Sequence, residues 1–102
     1  MVVRTPAPGS AERRAILDAL RAELRRWHEV EVVFVVDRLR VARDWAWVET
    51  RPQSPDGQSQ YEDVSALLRR ELGRWRVLEL GVDPDDELSR RYPGLPSALL
   101  GQ

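Results

Sequence analysis

Two segments govern what this chain can fold into: LRVARDWAWVET, from Leu39 to Thr50, and LLRRELGRWRVLEL, from Leu67 to Leu80. Each carries apolar residues up to a short charged turn and resumes with a tryptophan just past it. Strand, tight turn and strand is the physical reading of that pattern. Two such hairpins in series make a four-stranded antiparallel sheet.

The boundaries follow from the flanking residues. VEVVFVVDRLRV, Val30 to Val41, is too rich in β-branched side chains for a helix surface and reads as the first strand. Its apolar parity switches from Val30, Val32, Phe34 and Val36 to Leu39 and Val41. The switch places a bulge or bend at Asp37 and Arg38, which curls the sheet. A turn at Ala42, Arg43 and Asp44 leads to a second strand from Trp45 to Arg51. Pro52, Pro55 and Asp56-Gly57 then form a loop. The third strand runs from about Tyr61 to Arg70, and the fourth from Trp75 to Val82 after a turn at Glu71–Arg74.

Ahead of the sheet, Ser10 is a good N-cap and Glu12 suits the first turn of a helix. Ile16, Leu17, Leu20, Leu24 and Trp27 recur at helical spacing, so one apolar stripe spans about four to five turns. Behind the sheet, Asp83-Pro84 reads as a cap and first helical residue of a short helix, and Tyr92, Leu95, Leu99 and Leu100 make the tail too apolar to be free. The expected fold is α+β: one N-terminal helix packed on a curled four-stranded antiparallel sheet, with a short C-terminal helical segment. Residues 1–9 read as a flexible arm and residues 10–102 as a single domain.

Composition narrows the function classes. The 102 residues are 42% hydrophobic and 32% charged, as in ordinary globular proteins. The 16 basic residues, all arginine, nearly balance 17 acidic ones, so no overall field favours nucleic acid or an anionic membrane. With no cysteine there are no disulfides and no thiol chemistry. No metal-ligand spacing or cofactor motif is present, and no apolar run reaches transmembrane length. The N-terminus lacks a signal-like apolar run. The expected location is the cytoplasm, or the periplasm or exterior if an export signal has been removed.

The sheet poses a physical problem. Phe34 and Val36 oppose Val33 and Val35, Trp45 and Trp47 oppose Ala46 and Val48, and Trp75 and Val77 oppose Leu78 and Leu80. Both faces are apolar, yet one helix covers only one of them. The second must be closed by the C-terminal segment, a second copy of the chain, or a foreign partner or small hydrophobic ligand, in that order of expectation. Parity does not decide which face the helix takes.

The order of helix and four-stranded meander, with GRWRVLEL closing the last hairpin, resembles the cystatin-like and nuclear-transport-factor-two-like α+β superfamily. AILDALR (Ala15–Arg21), FVVDRLRV (Phe34–Val41), DWAWV (Asp44–Val48) and YEDVSALLRR with GRWRV look like a group of small bacterial proteins of no established activity, often made with an export signal. That resemblance spans most of residues 10 to 83. The additional N-terminal helices of the transport-factor-like enzymes are missing, and so is the Gln-Val-Gly-type loop of inhibitory cystatins. The resemblance therefore implies a fold and transfers neither a catalytic pocket nor protease inhibition.

Candidate sites follow. Trp45, Trp47 and Trp75 are the expected binding residues of a non-enzymatic interaction module, self-associating as a homodimer through an aromatic sheet face. On that expectation Trp47→Arg would keep the helix and turn dimer into monomer. The alternative is a small isomerase, hydratase or cyclase with an aromatic pocket, in which Glu49 or Glu79 serves as a buried carboxylate base. His28, the only histidine, reads as a surface residue at the helix-to-strand junction. Asp37 and Arg38 read as fixing the bulge. The pairs Arg13-Arg14, Arg25-Arg26, Arg69-Arg70 and Arg90-Arg91 read as solvated charge, diluted by acidic neighbours.

Overall fold

The computed structural model describes residues 2–29 and 31–101, with the His28 side chain also outside the description. Helix α1 (Ala11–His28) is followed by strands β1 (Val33–Ala42), β2 (Trp45–Gln53), β3 (Val64–Glu71) and β4 (Arg74–Leu80), then helix α2 (Asp86–Arg91) and a 3₁₀ turn at Ser97–Leu100. The strands form one antiparallel sheet in the order β1-β2-β3-β4. This is the α+β architecture that the hairpin pattern implies. Val30, expected to open the first strand, lies outside the described residues.

Ser10 caps α1, its hydroxyl accepting from the Arg13 N–H at 3.2 Å. Ile16, Leu20 and Leu24 are buried on the sheet. Trp27 is not: it is 66% exposed, and its indole N–H donates to Glu23 at 2.5 Å. At about 100° per residue Trp27 points nearly the same way as Leu20, so its exposure means that the last turn of α1 overhangs the sheet.

Two bulges set the faces. Val36 pairs with Thr50 and Arg38 with Glu49, leaving Asp37 as the extra residue. Phe34 and Val36 before it and Leu39 and Val41 after it therefore pack in one core with Ile16 and Leu20. In β4, Leu78 is extra between Val77, opposite Leu68, and Glu79, opposite Leu67. The core beneath α1 is completed by Ala46, Val48, Ala66 and Leu68, with Trp75 and Val77 at its margin. On the reverse face Ala42, Trp45, Trp47 and Leu67 pack under Leu88, Leu95, Leu99 and Leu100. Each face thus has its own core, and the tail covers the second.

The cap of α2 falls two residues later than Asp83-Pro84 suggests. Asp85 is the N-cap, its carboxylate accepting from the Leu88 N–H at 3.3 Å. Asp83, preceding a proline, is biased away from helical geometry, and Asp85 meets the helix with an acceptor at the right spacing.

Within the segment expected as a flexible arm, Arg4 lies beside β1. Arg4 exchanges backbone hydrogen bonds with Val41 at 2.9 and 2.8 Å, Pro6 is buried, and the Arg4 guanidinium pairs with Glu12. The Arg4 hydrogen bond holds the Glu12 carboxyl below its ordinary value of 4.5, against a smaller opposing effect of burial. A lowered folded-state value means that this contact stabilises above the ordinary value and is lost as pH falls through the depressed one. Arg4→Ala is expected to flatten the acid limb of the urea midpoint plotted from pH 7 to pH 3. The effect is small, because Arg4 is half exposed.

The β3-β4 hairpin turns on Leu72 and Gly73, both with positive φ, at 52° and 78°. Leu72 is fully exposed there and gains no packing for its left-handed backbone. Leu72→Asn creates the Asn-Gly pair preferred in such turns. We expect a gain of about 1 kcal/mol, read as a rise in melting temperature.

Candidate functional site

With both sheet faces covered, a wide opening remains where α1 overhangs. Leu24 from the helix, Val32 ahead of β1, Pro52 at the end of β2, Val64 at the start of β3, and Leu80 and Gly81 at the end of β4 line a groove of about 550 Å³. Its lining is chiefly apolar, and its volume falls in the range of small-molecule sites. The groove exists because the helix continues beyond the strand ends it covers.

The β2-β3 loop supplies the groove's outer wall. Ser54 donates to the Asp56 carboxylate at 2.5 Å, Asp56 accepts from the Gln58 N–H at 3.0 Å, and Gly57 takes φ 75°. Gln53 and Gln60 form a bridge, and the Tyr61 N–H donates to the Pro52 carbonyl at 2.9 Å. The loop thereby folds back on itself and sets Tyr61, Glu62 and Asp63 along the groove's edge. Tyr61 is 41% exposed, an aromatic ring at the mouth.

Across Asp63 and Val64 the groove adjoins a smaller cleft of about 220 Å³, lined by Asp37, Trp47, Glu49, Asp63, Asp83 and neighbouring residues. Asp37 is matched by Arg51 at 3.0 Å and Glu49 by Arg38 at 3.7 Å. Among the described residues Glu62, Asp63 and Asp83 form no ion pair. The nearby arginines are engaged elsewhere: Arg21 with Asp18 at 2.7 Å and Arg25 with Glu31 at 3.3 Å.

The tryptophans are not brought together. Trp45 and Trp47 lie under the tail, where Trp45 meets Tyr92 edge to face at 5.9 Å and Trp47 is fully buried. Trp75 is on the opposite face, half-buried at the helix-side core, with Arg70 over its ring at 5.6 Å. None of the three lines the apolar groove.

Glu49 and Glu79 share the tail-covered face but are separated by two strands and two residues, about 12 Å at usual strand spacing and rise. Glu49 accepts the Trp47 indole N–H at 2.7 Å. Glu79, with 18% of its side chain exposed, is ion-paired with Arg91 of α2. Both carboxylates thus have a partner within the fold, and neither lines the groove.

His28 ends α1, and its side chain lies outside the described residues. The arginine pairs are dispersed, with Arg69 over Trp45, Arg70 on Asp44 and Arg13 on the Pro6 carbonyl. Among the described residues no group of three or more His, Asp or Glu could hold a metal ion, and no helix is long and apolar enough to cross a membrane. The groove itself was not anticipated from sequence. Its lining comes from separate stretches of the chain with no shared spacing.

Comparison with protein-family models, with curated proteins and with solved structures finds no match to this chain.

Proposed function

We propose that this protein is a non-enzymatic binding module that takes an apolar ligand into the groove beneath the overhanging end of α1. The observation that carries this reading is an apolar recess of about 550 Å³ in a domain whose two sheet faces are otherwise covered. Among the described residues its lining offers no serine, threonine or cysteine nucleophile, and its carboxylates, Glu62 and Asp63, sit at the outer edge. An isomerase or hydratase reading with Glu49 or Glu79 as base gains no support from their ion pairs and separation. The order of one helix and a four-stranded meander supports a place near the cystatin-like superfamily, and the envelope setting of the bacterial proteins it resembles belongs to the same proposal.

Homodimerisation through the aromatic face is the variant of this reading that requires the tail to leave. In the folded protomer the groove is the better supported surface.

Each Å² of apolar ligand surface buried in the groove gains about 25 cal/mol, the gain that must offset the costs of association. N-phenyl-1-naphthylamine, a neutral fluorophore that brightens in apolar surroundings, should therefore bind saturably at one site. Val64→Phe fills the groove floor and should weaken that binding at least tenfold with the circular dichroism spectrum retained. Equal binding by the variant would remove the groove as the site.

A further inference from the structure

We infer that the occupant of the groove is a small cationic amphiphile, an apolar body ending in an amine or guanidine, held with its charge toward Glu62 and Asp63. This rests on the binding reading above and adds the chemistry of the head group.

The argument is charge complementarity. The chain as a whole is almost neutral, with a formal charge of −1, so a local surplus is a feature of place and not of composition. Among the described residues, four arginines on the elements around the groove are already paired: Arg21 with Asp18, Arg25 with Glu31, Arg38 with Glu49 and Arg51 with Asp37. The carboxylates left over are Glu62 and Asp63 on the groove's edge and Asp83 in the adjoining cleft. Asp63 and Val64 line both spaces, so the apolar recess opens directly onto the acidic side.

An apolar body seated on Leu24, Val32, Val64 and Leu80 would bring a head group to that boundary. A carboxylate or phosphate there would face unmatched negative charge, whereas an ammonium or guanidinium would find acceptors beside a low-dielectric wall, where such attraction is screened less than in open water. Tyr61 at the mouth adds a ring face suited to a cation. The groove's limited volume favours a small molecule over a folded partner's surface.

The test displaces bound N-phenyl-1-naphthylamine from the full chain with decylammonium, decanol and decanoate at pH 7, all below their aggregation concentrations. Decylammonium should displace the probe at a concentration at least tenfold lower than decanoate, with decanol between them. The ratio should shrink in 0.5 M salt and collapse toward one in the Glu62→Gln, Asp63→Asn double variant. Equal displacement by amine and carboxylate, or an unchanged ratio in the double variant, overturns the cationic head group while leaving the groove as a binding site. Absence of any probe binding overturns the groove itself, and this inference with it.

Discussion

Replacing Trp47 by alanine should lower the unfolding free energy by about 3–5 kcal/mol, the range for a buried large aromatic. The side chain is fully buried in the middle of β2, between Leu67 of β3 and the leucines of the tail. Its indole N–H also satisfies Glu49, so truncation removes both a packed ring and a hydrogen bond to a carboxylate. A domain of this size has on the order of 5–15 kcal/mol in total. Trp47→Arg should therefore unfold the chain, because it removes a fully buried ring and puts in its place a charge that must be desolvated within the core. This reverses the expectation drawn from sequence, that the arginine variant would keep its helix and merely separate two protomers. Trp75→Ala is the control: half-buried at the margin of the other core, it should cost less than half as much. Urea unfolding followed by circular dichroism reads all three. A loss under 1 kcal/mol for Trp47→Ala would show that the tail-side core does not hold the fold.

What could be read in advance was whatever a single segment encodes. The switch of parity around Asp37 located the first bulge, because a strand that changes its buried face must gain a residue. The two tight turns and the Ser10 cap were similarly local. The choice of face for the helix was not, since both parities of β2 are apolar. The structure supplies the reason: beneath α1 lie Ala46, Val48 and Ala66, small enough for a helix to approach closely, while Trp45, Trp47 and Leu67 stand on the side covered by short, adaptable pieces. That contrast of side-chain size was present in the sequence and goes beyond a count of apolar residues. The Leu78 bulge was hidden for the same reason, as apolar residues on both parities of β4 leave no break in alternation. Trp27 misled because helical spacing records direction alone, and whether a sheet lies beneath a given turn depends on strand length. The groove was invisible because only the tertiary fold brings Leu24, Val32, Pro52, Val64 and Leu80 to one place.

Removing residues 86–102 should convert this protein into one that self-associates. The tail contributes Leu88, Leu95, Leu99 and Leu100 to the second core, and without them Trp45, Trp47 and Leu67 face water. Truncating one buried leucine costs about 2–5 kcal/mol, so losing four exceeds what a small domain can spare unless another surface replaces them. A bared face carrying two tryptophans is the kind of patch that monomers avoid. The milder Leu99→Asp places a charge beneath the same cover and should loosen the tail while leaving α1 and its core intact. In sedimentation velocity the intact chain should show no association dependent on this face. The truncated and Leu99→Asp chains should show larger species that grow with concentration, and adding the separate tail peptide should reverse them. Should the intact chain dimerise, and Leu99→Asp leave that dimer unchanged, the aromatic face would have no part in assembly. The tail would then be a structural lid and nothing more. The ion pair from Arg91 to Glu79 bears on the same question, because it fastens the start of the tail to the sheet edge. Arg91→Ala, by freeing that fastening without altering any leucine, should move the onset of association to lower concentration by a smaller margin than Leu99→Asp.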